Sequence, residues 1–247
     1  MQQRRMLSIL IPALNEENGI AETIQAIPKD ELVQEGYDLE IIVIDGNSTD
    51  LTREVAQSNG ARVIVEKRKG YGRAYKTGLS EAKGDFVATL DADGTYPAEL
   101  ILEYLLELNQ KGLDFVTINR FSKMEEEAMA FSHKIGNRIL SITMNFLFAV
   151  KVKDSQSGMW IMTRRFIDGI KLESDDFSLS EEIKIIAFTF FKSLELEGRY
   201  YKRRGKVKLS TIKDGWVNLK YLFKYRTLLR HAIHPPLVPI ENKAAQK

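Results

Sequence analysis

Five apolar, β-branched runs, each followed by a stretch of helical periodicity, succeed one another over about the first 120 residues. No other feature of the sequence limits the fold as tightly. The runs are 7–12 (LSILIP), 40–45 (EIIVID), 62–66, 86–90 and 113–119. Runs that are apolar throughout, rather than alternating, read as strands covered on both faces. Strands joined by helices imply a largely parallel sheet in one α/β domain. A sheet of that kind binds its ligands along the carboxyl edge, where each strand hands over to its helix.

The polar residues at those ends are therefore the candidate site. The fourth strand runs into Asp91, Ala92, Asp93 and Gly94, with Pro97 placed to begin the next helix. Two carboxylates one residue apart suit a hard divalent cation, which keeps several waters and bridges to a substrate's phosphates. They also suit plain helix capping. Asn15 and Glu16 follow the first strand, Asp45 ends the second, and Arg120 directly follows the fifth. Lys69 lies in 67–78 (KRKGYGRAYKTG), whose glycines among cations fit a phosphate-binding turn or, taken alone, a surface loop. Asn15, Glu16, Asp45, Lys69, Asp91, Asp93 and Arg120 would share one sheet edge, and seven unrelated caps do not explain that convergence.

Net charge is only +2, but the distribution is uneven: between Arg199 and Arg230 stand eleven Lys or Arg and one acid, Asp214. There are no cysteines, which excludes a disulfide framework and thiolate metal sites. No signal peptide and no spanning helix are expected, because the longest helical apolar run, 139–150, is short of the ~20 residues a bilayer needs. Two amphipathic helices are expected, at 131–150 and 216–233. The second interleaves Trp216, Tyr221, Phe223 and Tyr225 with Lys220, Lys224 and Arg226, a pattern suited to an anionic membrane interface. Packing on the sheet or on a second copy of the chain is the alternative. The expected organisation is a domain over 1–210, a basic aromatic helix over 211–234 and a disordered tail over 235–247. The expected location is the cytoplasmic membrane face, without a nucleic-acid partner.

Six stretches in order carry a resemblance: IPALNEE (11–17), IIVIDGNSTD (41–50), KGYGRAYKTG (69–78), GDFVATLDADGTYP (84–97), DSQSGMW (154–160) and RRGKVKL (203–209). Together they resemble the family 2 glycosyltransferases of GT-A fold. In order and spacing they look most like the polyprenyl-phosphate sugar transferases of the dolichol-phosphate mannose synthase type. The resemblance implies a Rossmann-like nucleotide-sugar-binding fold, a GDP-mannose or UDP-glucose donor, a polyprenyl (dolichyl) phosphate acceptor and Mg²⁺ or Mn²⁺. It also leaves room for a membrane-anchoring subunit or a homo-oligomer. Residue by residue, it implies that Pro12, Leu14, Asn15 and Glu16 line the nucleoside pocket and that Asp45 binds the base. Lys69, Asp91 and Ala92 would border the donor, and Asp93, with Asp91 and Thr95, would hold the metal. Arg120 and Arg138 would hold the acceptor's phosphate, while Arg203 and Lys208 would belong to a loop closing over the donor. Three places depart from the pattern: Gly94-Thr95-Tyr96 stands for Leu-Gln-His, Asp45-Gly46 for Asp-Asp, and Val207 for Ser.

The acceptor decides what else is needed. A hydroxyl acceptor requires a general base, and Glu182, before an apolar helix, matches an acid found there in the family. A phosphate monoester is ionised near neutral pH and requires cations instead. Transfer to a hydroxyl with Glu182 as base is thus the second reading, and a non-catalytic nucleotide-sugar binder the third.

Overall fold

The computed structural model describes residues 4–204 and 211–231. Its centre is one seven-stranded sheet in the order β3-β2-β1-β4-β6-β5-β7. The strands are β1 (Arg5–Ala13), β2 (Tyr37–Asp45), β3 (Arg62–Val65), β4 (Phe86–Thr89), β5 (Phe115–Met124), β6 (Trp160–Thr163) and β7 (Ser193–Tyr200). All run the same way except β6, which is antiparallel to both β4 and β5. The sheet is mixed and mainly parallel, as expected. From β1 the chain winds outward through β2 to β3, then returns to β4 on the other side of β1. The crevice at that reversal opens between the ends of β1 and β4, where the sequence puts Glu16 and Asp93.

The alternation of β1 and β2 divides their side chains between two layers. On one face Leu7, Ile9, Ile11, Ile41 and Val43 pack with α1 (Ile20–Gln25), α2 (Lys29–Gln34), α3 (Thr52–Ser58) and α5 (Ile101–Gln110). On the other, Leu10, Ile42 and Ile44 pack with α4 (Tyr71–Glu81), α7 (Arg164–Asp168) and α8 (Leu179–Phe190).

A third cluster joins α6 (Phe131–Phe148), α8 and α9 (Thr211–His231), with Leu140, Met144, Phe148, Ile185, Leu222 and Tyr225 buried. Both amphipathic helices are present, and each divides its apolar residues. The outer face of α6 leaves Phe131, Ile135, Ile139, Ile142 and Phe146 exposed, the last at 86%. On α9, Trp216, Phe223 and Leu228 are exposed. Among the described residues no helix is long and apolar enough to cross a membrane. The expected tail at 235–247 lies outside the described residues.

Two local expectations are corrected. The glycine-rich stretch at 67–78 is not a surface loop beyond Gly70, because α4 begins at Tyr71. Gly70 makes that start feasible: its φ is 133°, and a Cβ there would meet the Asp175 carbonyl oxygen at 2.2 Å. Arg120 does not follow β5 but sits inside it, since the strand continues to Met124. The pairing with β7 slips between Asn119 and Lys123. There the Asn119 side chain accepts from the Phe121 amide (3.0 Å), and the Ser122 hydroxyl donates to the Asn119 carbonyl (2.7 Å). Irregularities of this kind re-aim side chains beside sites.

Candidate active site

The turn after β4 gathers the strongest candidates. Asp93 is 3% exposed. Its Oδ1 accepts from the Thr95 amide (3.1 Å) and hydroxyl (2.7 Å), which fixes the carboxylate against its own turn. Its Oδ2 faces Nη1 of Arg203 at 2.8 Å. Nη2 of the same guanidinium donates to Oε1 of Glu16 at 2.7 Å. One arginine thus spans the crevice between the β1 and β4 ends. Asp91, ahead of Asp93 in the same turn, is partly buried. The Tyr71 hydroxyl donates to its Oδ1 (3.3 Å), and Gly158 lies so near that a Cβ would meet the Tyr71 hydroxyl at 2.4 Å and Asp91 Oδ1 at 3.3 Å. Burial, and then the Asp93 charge, push the Asp91 carboxyl up to about 7.

The β1 and β2 ends form a second group. Asp45 is buried; its Oδ2 accepts from the Ser48 amide (3.0 Å) and pairs with Arg53 at 3.6 Å. Among the described residues its Oδ1 is buried with no hydrogen-bond donor. Asn15, at φ 51°, donates its amide to Ser48 Oγ and accepts from the Thr49 amide, locking the two loops together. Glu16 donates its amide to Thr52 Oγ1 (2.8 Å). Leu14 is half exposed beside Gly46, Pro12 lies in β1 opposite Ile44, and Ala92 is buried with its carbonyl against Gly19. Lys69 is exposed just before α4. Lys208 lies outside the described residues.

The acceptor-side candidates separate. Arg120 is buried, its Nε and Nη2 bound to Asp154 at 2.7 and 2.8 Å. Burial opposes both charges, yet the pairing holds Asp154 below its ordinary range and Arg120 well above its own. Arg138 is exposed on α6 and lines a cleft with Lys151, Lys153 and Glu195; Arg120 does not line that cleft. Glu182 is buried, and its two oxygens accept the Glu173 and Ser174 amides, each at 2.8 Å. This is the bonding of a loop anchor.

Sequence reasoning assigned no role to the buried network beneath the 154–158 loop. The Lys184 ammonium donates to the Asp154 and Ser157 carbonyls (3.0 and 2.7 Å). Glu195 accepts the Lys153 and Asp154 amides. Glu181 accepts from Gln156 (2.9 Å), and Gln156 in turn accepts from Asn218 of α9 (3.1 Å). Burial holds Glu181 well above the usual carboxyl range and pushes Lys184 down to about 7. The only signals in the sequence were polar residues inside apolar helical stretches and the DSQSG run, which do not name their partners.

Among the described residues no group of three or more His, Cys, Asp or Glu is arranged to hold a metal ion. The oxygen donors of Asp91, Asp93 and Thr95 nevertheless fit a hard divalent cation that completes its shell with phosphates and water. Arg203 already places a positive group against Asp93.

This chain belongs to glycosyl transferase family 2, which it matches over residues 8–170. It is 33% identical to the low-salt glycan biosynthesis hexosyltransferase Agl6 of Haloferax volcanii, covering 87% of this chain and 52% of that one. The chain therefore spans about half the length of that relative. It is 30% identical to the dolichyl-phosphate hexose transferase of the same organism, covering 85% of this chain and 89% of the relative. In structure it resembles glucosyl-3-phosphoglycerate synthase from Mycobacterium tuberculosis in complex with phosphoglyceric acid, with a TM-score of 0.73 and 22% identity over 90% of this chain and 80% of the other. The same enzyme in complex with Mn²⁺, UDP-glucose and phosphoglyceric acid gives a TM-score of 0.69 at 22% identity, covering 90% of this chain and 79% of the other. The shared fold is GT-A.

Proposed function

We propose that this chain transfers a hexose, with inversion, from a nucleotide diphosphate sugar to a polyprenyl phosphate at a membrane surface on the cytoplasmic side. The observation that carries the reading is the Asp91–Asp93 turn facing Glu16 and Arg203 across the crevice between β1 and β4. The 30% identity with a dolichyl-phosphate hexose transferase supports the acceptor class.

Asp45 and the Asn15–Ser48 loop pair would receive the base. Arg203 would meet the donor's diphosphate. A Mg²⁺ or Mn²⁺ ion held by Asp93, with Asp91 and Thr95 beside it, would supply positive charge to the departing diphosphate. An oxygen of the acceptor phosphate attacks the anomeric carbon, the bond to the diphosphate oxygen breaks, and the nucleoside diphosphate leaves. The attacking oxygen is ionised already, so no side chain has to remove a proton. Arg120 would face that phosphate as a guanidinium fixed by Asp154. The exposed α6 stripe and the aromatic face of α9 would lie in the lipid interface.

The test is transfer of label from GDP-mannose and UDP-glucose, with Mg²⁺ or Mn²⁺, to a short polyprenyl phosphate, with free polyprenol and a simple sugar as competing acceptors. Label is expected only in the phosphate lipid. Label in a hydroxyl acceptor would overturn the acceptor, and donor binding without turnover on any acceptor would overturn catalysis.

A further inference from the structure

The geometry points to Arg203 as an internal counter-ion that holds the metal site until the donor's diphosphate draws it away, so that the divalent cation enters with the nucleotide and not before it. The inference rests on the proposed donor and metal roles of the crevice, and adds an order of binding to them.

Both oxygens of Asp93 are engaged: Oδ1 by Thr95, through its amide and its hydroxyl, and Oδ2 by Arg203. A divalent ion binding through Oδ2 would share that oxygen with the guanidinium and bring its charge against another cation. The arginine is not a loose surface partner. Its guanidinium forks onto two acids from different strand ends, at 2.8 Å to Asp93 and 2.7 Å to Glu16, and those side chains are only 4% and 9% exposed. Charge-assisted pairs shielded from water hold better than exposed ones.

The segment carrying Arg203 is mounted on the metal turn itself. The Tyr201 amide donates to the Thr95 carbonyl (2.9 Å), and the Arg204 amide to the Asp93 carbonyl (2.9 Å). The Arg204 side chain pairs with Glu22 at 3.0 Å. Among the described residues Arg203 Nε is buried without an acceptor. A diphosphate offers that planar fork more acceptor oxygens than the two carboxylates do. Its arrival would move the guanidinium to phosphate and free Oδ2 for the cation. Because coupling between two ligands is reciprocal, nucleotide and metal then each raise the other's affinity.

The experiment titrates Mn²⁺ into the full chain and follows the free ion by electron paramagnetic resonance, alone and with UDP or GDP. Wild type is expected to bind Mn²⁺ about tenfold or more tightly once the accepted nucleotide is present. Arg203→Ala is expected to bind Mn²⁺ alone about tenfold more tightly than wild type and to lose most of the nucleotide's effect. Arg203→Gln serves the same purpose if the alanine variant does not fold. Arg204→Ala, which removes the Glu22 pairing and leaves Arg203 in place, is expected to bind Mn²⁺ alone as wild type does. Unchanged or weaker Mn²⁺ affinity without nucleotide in a folded Arg203 variant would overturn the exchange and leave the metal role standing. No Mn²⁺ bound by any protein, even with UDP and GDP, would overturn the metal role and the exchange with it.

Discussion

The two halves of the sheet handle charge in opposite ways. Around β1, β2 and β4, the acids stand at strand ends and are held by short-range contacts within their turns, Asp45 by Ser48 and Asp93 by Thr95. Around β5, β6 and α8, charges are sunk into the interior and tied to loop groups: Arg120 to Asp154, Lys184 to two carbonyls, Glu182 to two amides of the preceding loop. The first half keeps its charges available to a ligand. The second ties its charges to the 154–158 and 173–174 loops, with Arg120 the one also proposed to face a ligand, and it exposes apolar side chains of α6.

The contrast can be broken by substitution. Asp93→Ala is expected to cut transfer by about a thousandfold while leaving the urea midpoint close to wild type. Retained activity would remove Asp93 from the site. Asp154→Ala strands the buried Arg120 and is expected to cost about 3–5 kcal/mol in urea unfolding. A near-neutral result would show that Arg120 reaches water.

Glu181 sharpens the comparison through pH. Burial keeps its carboxyl protonated in the folded chain well above the ordinary value of 4.5, whereas the unfolded chain releases that proton near 4.5. Above that pH the folded state binds more protons than the unfolded one, so stability falls as pH rises. Glu181→Gln removes the penalty, and its melting temperature should gain on wild type progressively from about pH 5 to about pH 8. A constant difference across that window would mean that the carboxyl is ionised in place. The smallest effect belongs to Phe146→Ser on the exposed α6 stripe. Stability should change by less than about 0.5 kcal/mol, while sedimentation with anionic vesicles weakens. Unchanged sedimentation would separate α6 from the membrane.

Legibility in the sequence followed the same division. Asp91, Asp93, Glu16 and Asp45 were readable because strand alternation puts each at the carboxyl edge without any knowledge of contacts. The helical face of α6 was readable from spacing, but not which apolar residues pack on α9 and which stay outside. Arg120 was named, yet its position inside a bulged strand depends on a register slip against β7, and its partner lies 34 residues away. For Glu182 the sequence offered a base or an acid at a helix start, and the two amides that occupy its oxygens lie in a loop no spacing ties to it. The stretch at 67–78 could be read as a phosphate-binding turn or as a surface loop, because its helix start depends on the Asp175 backbone packing against Gly70.

The sequence by itself determined the α/β class, the edge on which the site sits and the acids at the β1, β2 and β4 ends. Those follow from periodicities of a few residues, which local sterics and burial impose. Only the tertiary structure decided that β6 runs against its neighbours and that Arg203 bridges Glu16 and Asp93, 187 residues from the first of them. It also decided which buried charges are structural. Pairing between distant groups is set by how the layers close and by the cost of leaving any buried polar atom unmatched, and neither is written in local spacing.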